Sequence, residues 1–544
     1  MIEAITSINS AVNGVVWGVF GISLLFIAGI VMTIVNKGFQ FGHIGHWMKS
    51  TIGAIFSDKH ITKHTGKDDR AISQFQSLCT ALAATIGTGN IVGIATAIIA
   101  GGPGAIFWMW IMAIFGMMTN YSENVLGIFY RRKNDKGEWC GGAMYYLRDG
   151  LSKSRFSAKL GKTLAFLFSL FTLFASFGIG NMTQSNSISL SLYSSFGVSK
   201  YIVGTVTAAL TLFVILGGSV RIGKLTEKLV PFMALFYIIA SLCIVAANFR
   251  EIPGVLYGIL KSAFSPAAAT GGFAGAALKR CISTGFRRGV FSNEAGLGSS
   301  VMVGSSSSVK EPAVQGMWGI FQVFTDTLVI CSVTAFVLLC VSVKTVPLSS
   351  ALKNGESLQY ISLAGEKDGQ TRLCDTTERQ VLSVSPGGGI IQSNDTTFIN
   401  VMALRKTQSG FTLEKIEGAS LVSLAFNSVF GKWADVILSV AVTLFAFSTI
   451  IGWSFYGERS IEFLTNGRGK TLYRAVFSAL TFLGAVSKLS LVWSISDVFN
   501  GLMVVPNLIG VILLSGDVLK ITKNYLDRKK GKTLSPLLNV RSTY

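Results

Sequence analysis

Charge is scarce in this 544-residue chain: Asp, Glu, Lys and Arg together make up 14%, where a soluble domain carries about 25%. Half of the residues are apolar, so a multidomain cytosolic enzyme lacks the polar surface it would need, and a disordered chain is excluded on the same ground. Histidine is nearly missing. The four that occur, at 43, 46, 60 and 64, share one basic segment and read as solvated surface rather than as a metal site. None lies in an apolar run, which removes the HExxH and Ser/His sets that a membrane-embedded enzyme would want. The repeated ring-forming filter motifs of a channel are also absent. The seven cysteines (79, 140, 243, 281, 331, 340, 374) show no CxxC pairing, and most sit inside apolar segments as small core hydrophobes. Acidic residues are in deficit, 27 against 47 Lys and Arg. The excess base punctuates long apolar runs and forms no aromatic-interleaved face, so nucleic acid is not the implied partner.

What fills the chain instead is a series of apolar runs. A helix crossing the hydrocarbon needs roughly 20 apolar residues. Runs of that order lie near 13–36, 76–100, 104–130, 163–192, 201–220, 229–248, 285–305, 314–343, 421–456, 472–488 and 491–515. The expectation is an all-α polytopic membrane protein of eleven spans. Residues 1–12 carry no Lys or Arg, so the first run reads as a retained helix rather than a cleaved signal. With eleven spans the termini face opposite sides. One set of connections holds 30 basic residues, and the other holds 9 once a long insert is set aside. The positive-inside rule then places the N-terminus outside and the C-terminus in the cytoplasm, in a cell inner membrane. The domains expected are residues 1–345 with the first eight spans, a polar insert 346–416, residues 417–518 with the last three spans, and a basic tail 519–544. The insert's alternating runs RQVLSVS and TTFINVMAL predict strands in a small external subdomain. One cluster strains the orientation: Lys279, Arg280, Arg287 and Arg288 precede the seventh span on the external side. They line a water-filled vestibule or mark a broken, re-entrant helix.

Two spans are interrupted. The second contains Gly87-Thr88-Gly89-Asn90, and the seventh contains Ser292-Asn293-Glu294-Ala295-Gly296-Leu297-Gly298. Glycine clusters favour unwinding, and unwound backbone at that depth must face protein or a polar cavity. The competing reading is close helix packing through small residues. If the first span is set aside, the second and seventh open two halves of five spans each. Matched breaks in corresponding helices point to an inverted-repeat transporter site, where half-helix N-termini attract a carboxylate and exposed carbonyls hold a small cation. The run Asn181–Asn186 in the fourth span is expected to face the same cavity. Ser448, Thr449 and Trp453 share one face of the ninth span. Taken alone, the first two often bond back to their own helix, and a Trp there is often an interface anchor.

The stretch Gly101-Gly102-Pro103-Gly104-Ala105-Ile106-Phe107-Trp108-Met109-Trp110-Ile111-Met112-Ala113-Ile114-Phe115-Gly116 resembles the signature of the sodium:alanine (alanine or glycine:cation) symporter family. So do GTGNIVG before it, GVFSNEAGLGSS later, and GASLVSLAFNSVFGKWADVIL at 418–438. The resemblance spans nearly the whole chain except 346–416, where family members usually have a short loop. It implies the fold of the bacterial leucine transporter (LeuT), five plus five helices in inverted repeat, here with one extra N-terminal helix. It implies a sodium ion held by the carbonyls of Ala83 and Ile86 and the hydroxyls of Ser448 and Thr449. Thr88, Gly89 and Asn90 would border a small amino acid, with Gln184, Phe291, Ser292, Gly296 and Trp453 enclosing the rest. Sodium-driven import of alanine or glycine follows, with no cofactor, the bilayer as surroundings and no nucleic acid. Proton coupling is the nearest alternative. It would need a titratable group, and Glu294 is the candidate, with Asp326 and Glu123 further off. Each reads otherwise as a structural acid paired with Arg287, Arg288 or a backbone donor.

Overall fold

The computed structural model describes residues 2–62, 71–135, 137–152, 154–264, 274–341, 390–392, 401–407, 410–415, 419–487, 490–532 and 535–537. Its principal helices are α1 (Ile2–Val16), α2 (Val19–Val35), α3 (Gln74–Thr85), α4 (Ile94–Gly101), α5 (Gly104–Phe129), α6 (Arg155–Phe177), α7 (Thr183–Phe196), α8 (Lys200–Leu216) and α9 (Gly218–Ala247). They continue as α10 (Ala274–Asn293), α11 (Pro312–Val323), α12 (Ser332–Cys340), α13 (Ala434–Thr465), α14 (Lys470–Val486), α15 (Ser490–Leu502), α16 (Val504–Leu513) and α17 (Ser515–Lys529).

Among the described residues, seven helical stretches are long and apolar enough to cross a membrane, and an eighth is the bent pair formed by α3 and Gly89–Gly101, which turns through 52°. The runs read at 201–220 and 472–488 are helices of 17 residues, α8 and α14. The run read at 285–305 is not one helix. Helix α10 ends at Asn293, and the chain then passes through Glu294, Gly296 and Gly298, all at positive φ, before the short helix Val301–Gly304. In the insert, the three strands Ile390–Gln392, Val401–Thr407 and Gly410–Lys415 pair antiparallel in chain order. The run RQVLSVS lies outside the described residues.

Local signals explain where the broken helices start and stop. Ser73 and Gln76 close a capping box at the head of α3, which satisfies two otherwise orphaned N–H groups. Pro312 stands at the first turn of α11, where its missing donor costs nothing. The two broken segments are tied together at one end. Ile72 N–H donates to the Ser306 carbonyl at 3.1 Å, and Ser308 N–H returns to Ile72 at 2.9 Å. Buried Arg131 donates to the carbonyls of Ser305, Ser307 and Val309 at 3.2, 2.7 and 2.6 Å. Backbone that has left the helix is thus satisfied inside the protein.

The long helix α13 runs against α3 at very close range. A Cβ at Gly452 would stand 2.7 Å from the Ala84 backbone nitrogen. Only glycine lets the two backbones meet there, in the small-residue packing typical of apolar surroundings.

Candidate functional site

The interruption of the first broken helix has a specific cause. Helical geometry would give the Gly87 N–H to the Ala83 carbonyl four residues back. That N–H donates instead to Asn90 Oδ1 at 2.9 Å. The Ala83 carbonyl is left free of the ladder. Opposite it stands Ser448 Oγ at 3.3 Å, while the same hydroxyl lies 2.8 Å from the Phe445 carbonyl of its own helix. Thr449 also donates back, to Phe445 at 2.9 Å, and its oxygen faces Gly87, where a Cβ would sit 2.6 Å away. Hydroxyls whose protons are committed to their own helix turn lone pairs outward. The carbonyl and two hydroxyls form a buried oxygen set with no titratable member, chemistry that suits a hard cation. Ile86, fully buried at the C-terminal cap of α3, adjoins this set in an extended conformation.

The two interruptions meet. Asn90 Nδ2 donates to Ser292 Oγ at 3.0 Å and to Asp326 Oδ1 at 2.8 Å. Ser292 Oγ donates to Asp326 Oδ2 at 2.6 Å, and Thr327 donates to the same oxygen at 2.9 Å. Asp326 sits in a π-helical stretch, Phe324–Cys331, and Asn90 sits in another, Gly89–Gly93. Such widened turns re-aim side chains and recur at functional sites.

Beside this junction lies a cavity of about 20 Å³, the room of one or two waters. Gly89, Gln184, Phe291, Glu294, Thr449, Trp453 and Asn500 are among its walls. Thr88 reaches it through Gln184, to whose Oε1 its hydroxyl donates at 3.0 Å. The Phe291 ring covers Gly89. Trp453 is pressed on Gly180, where a Cβ would fall 2.3 Å from the Trp453 Cβ. Of the residues expected from sequence, the structure brings Gly89, Gln184, Phe291, Thr449 and Trp453 together on one cavity, with Thr88 behind Gln184. Asn90 and Ser292 are not on its walls; their side chains meet each other and Asp326 instead. Ala83 and Ser448 form the adjoining oxygen set. Gly296 stands apart: its φ is +90°, and a Cβ there would meet Leu25 of α2 and Leu508 of α16.

Several expectations are revised. Asn181, Ser185 and Asn186 do not face the cavity. They donate to the carbonyls of Phe477, Thr481, Gly484 and Ser487 and so bind α7 and the turn before it to α14. An interhelical carbonyl relieves a buried amide as well as a cavity does. Nor does Glu294 pair with Arg287 or Arg288. Its Oε2 accepts from Ser299 at 2.6 Å. Arg287 pairs with Asp497, whose carboxylate also accepts from Asn13 at 3.3 Å and whose backbone carbonyl accepts from Trp17 at 2.9 Å. Glu123 accepts from Asn507, which also donates to the Gly296 carbonyl. Arg287 precedes Phe291 by one turn, and Asp497 precedes Asn500 by one turn. The ion pair therefore bridges α10 and α15 directly beyond the cavity wall.

Sequence reasoning passed over Asp326 as a junction residue and passed over Asn500 entirely. The signal for both was present: a strongly polar side chain inside an apolar run.

The family model described as the sodium:alanine symporter family matches residues 2–366 and 387–538. The sodium/alanine symporter AgcS of Methanococcus maripaludis is 40% identical over 97% of this chain and 98% of its own length. The probable sodium/glutamine symporter GlnT of Bacillus subtilis is 34% identical over 98% of this chain and 93% of its own. Among solved structures, MhsT in complex with L-phenylalanine aligns over 84% of this chain and 99% of its own, with 12% identity and a TM-score of 0.45.

Proposed function

Because the chain belongs to the sodium:alanine symporter family, we propose that it is a secondary active transporter carrying alanine or glycine inward with sodium by alternating access. The observation that supports this most directly is the Ala83 carbonyl, released from its helix by Asn90 and met by the Ser448 hydroxyl. In this reading sodium lies between α3 and α13, held by Ala83, Ile86, Ser448 and Thr449. The ion fixes the broken helix, and the half-helix that starts at Gly89 offers its first N–H groups to the substrate carboxylate. Coupling is then a shared preference of both ligands for one conformation. Thr88, Gly89, Asn90, Gln184, Phe291, Ser292 and Trp453 shape the amino-acid site; the cavity has room for only one or two waters, so its walls part to admit substrate, and alanine or glycine asks the least of them. The Arg287–Asp497 pair closes the outer mouth. The architecture is read as five plus five helices in inverted repeat with an extra N-terminal span, eleven in all, and no cofactor takes part.

The test is a sodium titration. Ser448→Ala and Thr449→Ala each remove one oxygen from the shell, at a cost on the order of 1–3 kcal/mol. The sodium concentration for half-maximal alanine uptake should rise roughly 5- to 150-fold. Apparent alanine affinity should fall at low sodium and recover at saturating sodium, as reciprocal linkage demands. Unchanged sodium dependence in both variants would remove the ion from this place.

The basic-residue asymmetry supports an external N-terminus and a cytoplasmic C-terminus. A phosphatase fused after residue 390 should be active outside the cell, and one fused after residue 150 inactive. The opposite pattern would invert the orientation.

Glu294 on the cavity wall favours proton coupling as the second reading. Under it, Glu294→Gln would abolish an acid-driven uptake that needs no sodium.

A further inference from the structure

We propose that Asn500 recognises the transported amino acid, its side-chain carbonyl accepting a hydrogen bond from the substrate's ammonium group. The inference rests on the reading of the cavity as an amino-acid site and deepens it.

Asn500 is 2% exposed, and its Oδ1 is buried without a hydrogen-bond partner. Neighbouring amides are all engaged at both ends. Gln184 accepts from Thr88 and donates to the Ile179 carbonyl. Asn90 accepts from Gly87 and donates to Ser292 and Asp326. Asn293 accepts from the Ala295 N–H and donates to Thr327. Asn181 accepts from Thr481 and donates to the Phe477 carbonyl. Buried polar groups are almost always satisfied, and an unmet acceptor on a cavity wall is open to a partner that enters the cavity.

Asn500 lines the cavity together with Glu294, and each brings a side-chain oxygen acceptor to its walls. A group that supplies several N–H donors and positive charge answers both, and the ammonium of an amino acid does so. The carboxylate end has its own donors in the half-helix at Gly89. An acceptor on α15 therefore adds recognition at the other end of a zwitterion. It also explains how binding reaches the mouth, since Asp497 lies one turn away on the same helix and pairs with Arg287. Asn500 touches substrate, and Asp497 holds the position of the helix that carries it.

The test uses the full-length purified protein and equilibrium binding of the radiolabelled amino acid that the wild type binds most tightly in sodium. Asn500→Leu keeps the volume and removes the amide. Asn500→Asp keeps oxygen acceptors and removes the N–H donor. The Leu variant should lose on the order of 10- to 100-fold in amino-acid affinity, and the Asp variant should keep most of it. Thermal stabilisation by sodium alone should be the same in wild type and both variants, which separates recognition from folding. Equal loss in both variants, loss in neither, or loss accompanied by a weakened sodium response would overturn the assignment. The wild type alone tests the amino-acid site: absence of sodium-dependent binding of any amino acid would sink the transporter site itself.

Discussion

Asn90→Leu is expected to abolish sodium-dependent uptake while leaving the protein in the membrane. Asn90 is fully buried and serves both interruptions at once. It accepts from Gly87 and donates to Ser292 and Asp326. Leucine fills the same space and offers none of these bonds. Asp326 loses a donor at about 1–3 kcal/mol. The Gly87 N–H has somewhere to go, namely the Ala83 carbonyl four residues back, and that rewinding would consume the oxygen assigned to sodium. Loss of ion and loss of junction compound to roughly 100-fold or more in apparent affinity. Uptake by the variant within a factor of three of wild type, at equal membrane abundance, would show that Asn90 does not hold the break.

Gly452→Val is the second large effect. The new side chain would lie 2.7 Å from the Ala84 backbone nitrogen and 2.8 Å from its Cα. Backbone atoms cannot rotate away, so α13 must move off α3, at a cost of about 1–3 kcal/mol or more. That movement separates Ser448 from Ala83. The sodium requirement should therefore rise at least tenfold, and the Ser448→Ala effect should shrink in the double variant, because the contact is already lost. Full additivity of the two substitutions would place the sodium site away from this seam.

What could be read from the sequence and what could not follow from the physics of each element. The break at Gly87–Asn90 was legible because glycine and a polar amide both oppose an apolar helix, and the second break was legible for the same reason. That they bond to each other was not, since Asn90 and Ser292 lie 202 positions apart and only the fold joins them. Gln184 was found as one of several polar residues in its span, but its neighbours Asn181, Ser185 and Asn186 turned to α14 instead. Composition shows that an amide is buried, not which carbonyl relieves it. The run at 285–305 had the hydropathy of a span, whereas positive φ at Glu294, Gly296 and Gly298 stops the helix. Gly296 was legible as part of the break, but its direction, towards Leu25 and Leu508, depends on packing against α2 and α16. The basic cluster before the seventh span was legible as an anomaly. Its partner Asp497 was not, since it lies in the middle of another helix and only the fold brings the two together.

The central claim is coupling of a small amino acid to sodium at the seam between α3 and α13. The most direct measurement is alanine and glycine uptake into proteoliposomes with an imposed sodium gradient, compared with choline in place of sodium across an imposed pH gradient. Concentrative uptake is expected with sodium, and none with choline at any pH gradient. Acid-driven accumulation that persists in choline and disappears in Glu294→Gln would contradict it.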